Sequence, residues 1–316
     1  MNKTDLIEKY VACPDCHSAI KALKGEEIRL KCSKCDKEFL TLDNEILMML
    51  GSSEGQNKSS QIKWETAYQT WVNLEEEVRR YHLDGTIRQL LQPLPSSLPD
   101  DSKVYLEIGC GMGFVGEELA KAGWLFIGVD YSLTALCALK KRLDERGICN
   151  YLLIYADIEK MPIIPDSVFL VGGFGVIEHL KDARPALRNI FRSLKSGGVS
   201  FNTVPYLNIG NVLYRSVLWG SVPNMPVLKQ IVEFVNIKVL KGRRMAFGYE
   251  LQLSAGQLSD MHLAAGFVKD SITVRQFEVN VKMEFIKTKW LKTFCRYLSE
   301  NCRQFWPMVK VIAVKQ

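Results

Sequence analysis

The chain has no run of residues long enough to cross a bilayer. Its longest apolar stretch, residues 168–177, is half of the about 20 residues that a membrane-spanning helix needs. The opening Met1-Asn2-Lys3-Thr4-Asp5-Leu6 is polar and carries no apolar leader segment, so a cytoplasmic address is expected. Cysteine is also scarce: nine residues, unevenly spread over 316, exclude a disulfide scaffold. All nine are expected to be reduced, with four of them bound to metal. Acidic charge is thin in the C-terminal part, where residues 201–316 hold 16 Lys+Arg against 7 Asp+Glu, a balance of +9 within a net charge of +6. What remains is 47% hydrophobic, enough core for one full α/β domain and a small appendage or two.

The four paired cysteines are Cys13-Pro14-Asp15-Cys16 and, after fifteen intervening residues, Cys32-Ser33-Lys34-Cys35. Two thiolate pairs at this spacing suit a tetrahedral zinc held by two knuckles in a β-ribbon. All four positions are cysteine, which leaves no open coordination position for a catalytic water. The ion is therefore expected to be structural. A segment of this size has too little core to fold alone, and a structural zinc supplies roughly 10 to 16 kcal/mol in small peptides. Residues 51–61, rich in Ser, Gly, Asn and Gln, read as a linker. The expected division is thus a ribbon over 1–50, the linker over 51–61 and a main domain over 62–316.

The main domain is organised around Val104-Tyr105-Leu106-Glu107-Ile108-Gly109-Cys110-Gly111-Met112-Gly113-Phe114-Val115-Gly116, an apolar run that breaks into glycines and continues with helix formers. It reads as a strand, a tight turn and a helix start. Glycines suit a backbone that must take φ > 0 or approach a ligand closely, and a helix N-terminus offers free N–H groups. Gly111-x-Gly113-x-x-Gly116 also matches a dinucleotide fingerprint, with Asp130 near the place of a ribose-binding acid. Glu107 decides against that reading: an acid at this position repels a pyrophosphate but suits a cationic amino-acid group. With Glu107-Ile108-Gly109-Cys110-Gly111-Met112-Gly113 the chain resembles the class I S-adenosylmethionine-dependent methyltransferases, whose first motif is an acid followed by Gly-x-Gly-x-Gly.

The resemblance extends along the chain and implies roles for further residues. Asp130, at the end of a second apolar strand and followed by Tyr131, corresponds to the acid that accepts both ribose hydroxyls; Ser132 supplies the cap of the next helix. Ala156-Asp157-Ile158 resembles the adenine contact, with Asp157 accepting the exocyclic amine and Ile158 packing on the ring. Residues 162–180 resemble the fourth-strand block of small-molecule methyltransferases, which implies that Gly173 and Phe174 lie beside the methionine end of the cofactor. Phe169 departs from the family, which has an acid there. Glu178-His179 closes the block, and His179 is the candidate general base; capping the strand by a backbone hydrogen bond is its bland alternative. Helical aromatic spacing over 62–91 predicts helices leading into the main domain; the resemblance implies that such helices close over the cofactor, with Tyr81 and His82 as candidates to face the pocket.

The expected fold is α/β: a doubly wound, seven-stranded Rossmann-like sheet whose last strand is antiparallel, as the resemblance implies, carrying the zinc ribbon. Insertions are expected at 206–250 and 281–306. The expected function is methyl transfer from S-adenosylmethionine to a small molecule, lipophilic or anionic, with a lid at 206–250 whose basic end (Lys238, Lys241, Arg243, Arg244) and apolar body suit a membrane face. The alternative is an rRNA or tRNA methyltransferase, since a zinc ribbon precedes this fold in some of those enzymes and the C-terminal half is basic. The ribbon itself carries no net positive charge, which disfavours nucleic acid. A catalytically silent binding module is a third reading, opposed by the intact acid, glycines and Asp130.

Overall fold

The computed structural model describes residues 2–23, 25, 27–50, 58–71, 73, 79, 83, 85–241, 248–278 and 288–316. Thirteen strands are described: β1 (Ile20–Leu23), β2 (Arg29–Cys32), β3 (Glu38–Leu42), β4 (Ile46–Met48), β5 (Val104–Ile108), β6 (Leu125–Asp130), β7 (Tyr151–Tyr155), β8 (Val168–Phe174), β9 (Leu194–Pro205), β10 (Val222–Pro223), β11 (Leu251–Gln252), β12 (Ile272–Gln276) and β13 (Met308–Val314). Eleven of them form one sheet in the order β1-β2-β3-β4-β7-β6-β5-β8-β9-β13-β12, and β10 pairs with β11. The stretch from β4 to β9 is parallel, while β13 is antiparallel to both of its neighbours.

The last strand is therefore antiparallel as expected, but the sheet has eleven strands rather than seven. The four extra strands come from the N-terminal segment, which adds itself to the outer edge of β7 through β4. Two more boundaries differ. The helix expected from residue 62 begins at Lys58 and ends at Trp71, so residues 58–61 of the expected linker are helical, and 51–57 lie outside the described residues. The sequence over Phe267–Val274 also reads as a strand, but β12 begins only at Ile272, because Gly266 ends the preceding helix and a short helical turn occupies Lys269–Ser271.

β5 shows why the centre of this sheet is apolar throughout. All five of its residues are buried, since helices cover both faces of a parallel sheet. On one face Leu106, Ile108, Ile127 and Val171 join a core that also takes in Leu187 and Ile190 of the helix Arg184–Ser193. On the other, Tyr105, Phe126 and Leu153 pack with Leu119 and Leu136. The chain winds β5, β6, β7 in one direction and then crosses to β8 on the opposite side of β5. That reversal opens a crevice at the carboxyl ends of β5 and β8, where ligands of open α/β sheets bind.

The helix Phe114–Lys121 follows the glycine turn and is anchored by a buried charge cluster. The Glu117 carboxylate is fully buried and takes ion pairs from Arg79 (3.0 Å), Arg142 (2.6 Å), Lys121 (2.7 Å) and Arg146. Arg142 also donates to the Met112 carbonyl and lies 4.4 Å over the Phe114 ring, which ties the helix Leu133–Glu145 to the turn. Burial alone would raise the Glu117 pKa, but hydrogen bonds from Lys121, Arg79 and Arg142 hold it down at about 2. Removing one partner of a buried pair leaves the other uncompensated, so Glu117→Gln is expected to cost about 3 to 5 kcal/mol in urea denaturation. A folded pKa below the unfolded value means stability that is complete above about pH 4.5 and lost as pH falls toward 2. A parent protein whose urea midpoint does not fall on acidification, or a variant with the parent's midpoint, contradicts this role.

Candidate functional site

The turn after β5 is built by glycines in left-handed conformation, and Gly111 (φ +49) carries the constraint most clearly. Its amide donates to Asp130 Oδ2 at 2.7 Å, and the amide of Ser132 donates to Asp130 Oδ1 at 2.7 Å. One carboxylate at the end of β6 thus holds both its own turn and the turn of β5. Burial raises the Asp130 pKa to about 6 against the pull of the Gly111 and Ser132 amides. The Tyr131 backbone adds to these two, and the carboxylate still has acceptor capacity to spare. Glu107, 5% exposed, lies beneath the turn, where its Oε2 accepts from the Gly116 amide at 2.9 Å. Burial pushes it up to about 8. Ser132 caps the next helix by accepting from the Ala135 amide at 3.2 Å, as its sequence position implies.

The other candidate residues stand at the same carboxyl edge. Gly109 and Gly113 share the left-handed backbone, and a side chain on Gly109 would strike Val176. Tyr131 is half-buried, and its carbonyl accepts from Gln61 at 3.1 Å. Asp157 follows β7 and accepts from the Glu159 amide at 2.9 Å, while Ile158 is buried in the core. Gly173 lies beside Asn202 and Ile108, and the half-buried Phe174 ring is 5.9 Å from Phe201. Phe169 is buried near the start of β8, away from this edge.

The helix Lys58–Trp71 covers the turn. Its residues at successive turns reach the site: Gln61 donates to the Tyr131 carbonyl and to the Tyr155 hydroxyl (2.9 Å), and Glu65 accepts from the Thr134 amide at 3.0 Å. Tyr68 reaches furthest, since a Cβ on Gly111 would fall on its hydroxyl. Burial, then the charge of Asp130, pushes the Tyr68 phenol well above its ordinary range, so it stays protonated and able to donate. The aromatic spacing pointed to this helix, but Gln61 and Glu65 went unread. The signal for them is a polar i, i+4, i+7 stripe beside the aromatic one. Tyr81 and His82 lie outside the described residues.

Trp64 on the same helix meets His179 edge-on, with ring centroids 5.2 Å apart. His179 Nδ1 is 2.7 Å from the Tyr249 carbonyl, a contact that assigns the proton to Nδ1 and leaves Nε2 as acceptor. Burial lowers the His179 pKa, keeping the ring neutral near pH 7. The backbone bond is the alternative foreseen for it, and it orients the ring without consuming Nε2. Beside it Glu178 is 2% exposed, held well above the usual carboxylate range by burial and then by Glu250, which Arg215 pairs at 3.2 and 3.0 Å.

Some distance along the sheet, the sulfurs of Cys13, Cys16, Cys32 and Cys35 lie within 4.8 Å of one another. Cys13 and Cys35 are 3.8 Å apart and Cys16 and Cys32 3.3 Å. A tetrahedral zinc with four thiolates has an S–S edge of about 3.8 Å, so the donor set and its spacing fit that ion.

The contact between helix and turn predicts a specific pair of variants. Gly111→Ala must adopt a left-handed backbone, at roughly 1 to 2 kcal/mol, and places a methyl on the Tyr68 hydroxyl. It is expected to displace the helix, read as a change in the fluorescence of Trp64 and Trp71, and Tyr68→Ala in the same chain is expected to restore part of the lost thermal stability. Equal stability in both variants contradicts the contact.

Residues 106–201 match the model of a family described as "Methyltransferase domain". The chain is 26% identical over 170 residues to a ubiquinone biosynthesis O-methyltransferase of Coxiella burnetii, covering 54% of this chain and 71% of that protein. Its fold is similar to the methyltransferase complex with the Haloferax volcanii Trm112 activator (TM-score 0.53, 16% identity, 78% of this chain and 96% of that one). It is also similar to phosphoethanolamine N-methyltransferase 2 of Haemonchus contortus (TM-score 0.50, 18% identity, 73% of this chain), of which it spans about half, 52%. The doubly wound sheet, the glycine turn with its paired acids and the matched domain together make this chain an S-adenosylmethionine-dependent methyltransferase.

Proposed function

We propose that the chain methylates a small lipophilic acceptor bearing an anionic group, collected at a membrane face, within a cytoplasmic setting. S-adenosylmethionine supplies the methyl group. The turn of Gly109, Gly111 and Gly113, backed by Glu107, receives its amino-acid end, and the protonated Tyr68 faces the same end. Asp130, through its remaining acceptor positions, and Tyr131 take the ribose. Asp157 and Ile158 take the adenine, and Gly173 and Phe174 line the methionine side. Methyl transfer demands chiefly alignment of the nucleophile with the sulfonium and exclusion of water; the aromatic cover of Trp64, Tyr68 and Trp71 serves both. His179 Nε2 is the base for an acceptor that must lose a proton. Cys13, Cys16, Cys32 and Cys35 hold a structural zinc in the segment 1–50.

The observation that carries the acceptor class is the surface of the two insertions. Val227 (71% exposed), Ile231 and Phe234 follow a helical i, i+4, i+7 stripe that points to solvent, as do Trp290 (70%), Phe294 and Tyr297 on the helix Lys289–Asn301. Ile209 and Leu213 add to this apolar surface from the helix Ile209–Trp219, which packs on Phe305. Exposed apolar stripes of this kind suit a binding surface. Lys229, Lys238, Lys241, Lys289, Lys292 and Arg296 stand among these residues against Glu233 and Glu300, which suits anionic lipid. Arg243 and Arg244, with Met245 and Phe247, lie outside the described residues. The RNA reading has no counterpart among the relatives named above. Nor does any helix among the described residues have the length and apolarity to span a membrane, so the contact proposed is peripheral.

A single assay separates the two halves of this reading: turnover of a quinol-like phenol presented in liposomes containing anionic lipid. Trp290→Ser with Phe294→Ser is expected to reduce liposome binding and turnover at least tenfold while cofactor affinity stays unchanged. His179→Ala is expected to reduce turnover about 10²-fold or more without affecting liposome binding, in the range of general-base contributions. Full liposome binding by the double variant would remove the membrane face from the account, and full turnover by His179→Ala would remove the base.

A further inference from the structure

The sequence divides a ribbon over 1–50 from the main domain, but the structure joins the two. Ile46, Leu47 and Met48 of β4 run parallel beside Leu153, Ile154 and Tyr155 of β7, and the Met49 amide continues the ladder to the Tyr155 carbonyl at 2.9 Å. A second seam lies on the loop that follows. The Ala12 amide donates to the Pro162 carbonyl at 3.0 Å, the Ile164 amide donates to the Tyr10 carbonyl at 3.0 Å, and Val11 bridges to Ile163. Leu6, Ile7 and Tyr10 of the helix Lys3–Tyr10, with Leu47 and Met49, are buried in one core with Ile154, Ile158, Met161 and Ile163.

Both seams touch the adenine side of the cofactor site. Asp157 and Ile158 lie between β7 and the Pro162–Ile164 loop, and the Tyr155 hydroxyl accepts from Gln61 of the covering helix. Without its N-terminal partner, β7 would be a bare edge with unpaired backbone groups and an exposed apolar flank, which is unfavourable in water. The partner has little to hold itself together. Its own core is essentially Ile20, Leu30 and Phe39 around strands of three to five residues. The four-thiol cluster is its main internal tie, and Cys13 stands two residues from Val11 on the second seam.

We propose that metal at Cys13, Cys16, Cys32 and Cys35 governs cofactor affinity by keeping the helix Lys3–Tyr10 and β4 pressed against β7 and the Asp157–Ile158 turn. The inference rests on the structural-zinc reading above and adds a coupling between two sites that share no residue. The linkage is mechanical and runs from Cys13 through Val11 and Ile163 to Met161 and Ile158.

The test uses the full chain and two separate readouts: zinc by atomic absorption, and S-adenosylhomocysteine affinity by calorimetry. The purified parent is expected to contain one zinc. Its chelator-stripped form is expected to bind S-adenosylhomocysteine at least tenfold more weakly, and added zinc to restore the affinity. Cys32→Ser is expected to lose the metal and show the same weakening without rescue by zinc. Leu47→Ala leaves the four thiols intact but opens the first seam; it is expected to keep its zinc and still bind the cofactor product more weakly. Hydrogen exchange over residues 155–163 is expected to quicken in the stripped parent. A chain that loses its zinc yet keeps its affinity overturns the coupling. A parent that contains no zinc overturns the reading on which the coupling rests.

Discussion

The site depends on one carboxylate held between two turns. Asp130 closes β6 and accepts amides from Gly111 and Ser132, both at 2.7 Å, so the turns that follow β5 and β6 are held in shape by a single buried carboxylate. The glycine turn pairs its Gly113 amide internally, with the Cys110 carbonyl at 2.7 Å, but the Gly111 and Ser132 amides are met by Asp130. Leaving two buried N–H groups unpaired would cost roughly 1 to 3 kcal/mol each. Glu107 repeats the device one layer lower, at the Gly116 amide, and the Glu117 cluster fastens the helix that the turn begins. Acids thus lie beneath the glycines as scaffold before any ligand arrives. Their burial explains why Asp130 and Glu107 both protonate more easily than free carboxyls.

Much of this was legible in the residues themselves. Val104 to Gly116 could be read as strand, turn and helix because apolar run, glycines and helix formers follow one another with nothing between, and Asp130 and Ser132 stood at a strand end and a cap. The reading failed where structure depends on contacts between distant segments. Residues 46–48 are too short and too apolar to be told from the tail of a ribbon, and only their pairing with β7 reveals them as part of the main sheet. Lys58 to Gln61 have the polarity of a linker, yet they begin a helix because Gln61 and Glu65 find partners at Tyr131, Tyr155 and Thr134. Such partners are invisible in a local window. The helical spacing of 226–234 and 290–297 was readable, but which way those stripes face was not. Periodicity states that a face is apolar without stating what covers it.

The arrangement of covers follows from this. At the outer edge the N-terminal segment shields β7; over the turn the helix Lys58–Trp71 brings Tyr68 to Gly111; on the far side the insertion orients His179 through the Tyr249 carbonyl. Three segments outside the β5–β9 core of the sheet therefore each add contacts around its carboxyl edge. In a reaction that needs alignment and dryness more than acid–base chemistry, such covers are where specificity can be varied while the cradle is left alone.

The central claim is that the crevice held by Asp130 is shaped for S-adenosylmethionine and not for a dinucleotide, whose fingerprint its glycines also match. Calorimetric titration of the full chain with S-adenosylmethionine and, separately, with NAD tests it most directly, with Asp130→Ala as the comparison. The account predicts one equivalent of S-adenosylmethionine bound by the parent, an affinity lower by about 2 to 3 kcal/mol in Asp130→Ala through loss of charge-assisted hydrogen bonds, and no heat from NAD. Saturable binding of NAD that competes with S-adenosylmethionine, or an Asp130→Ala chain that binds S-adenosylmethionine as tightly as the parent, would contradict it.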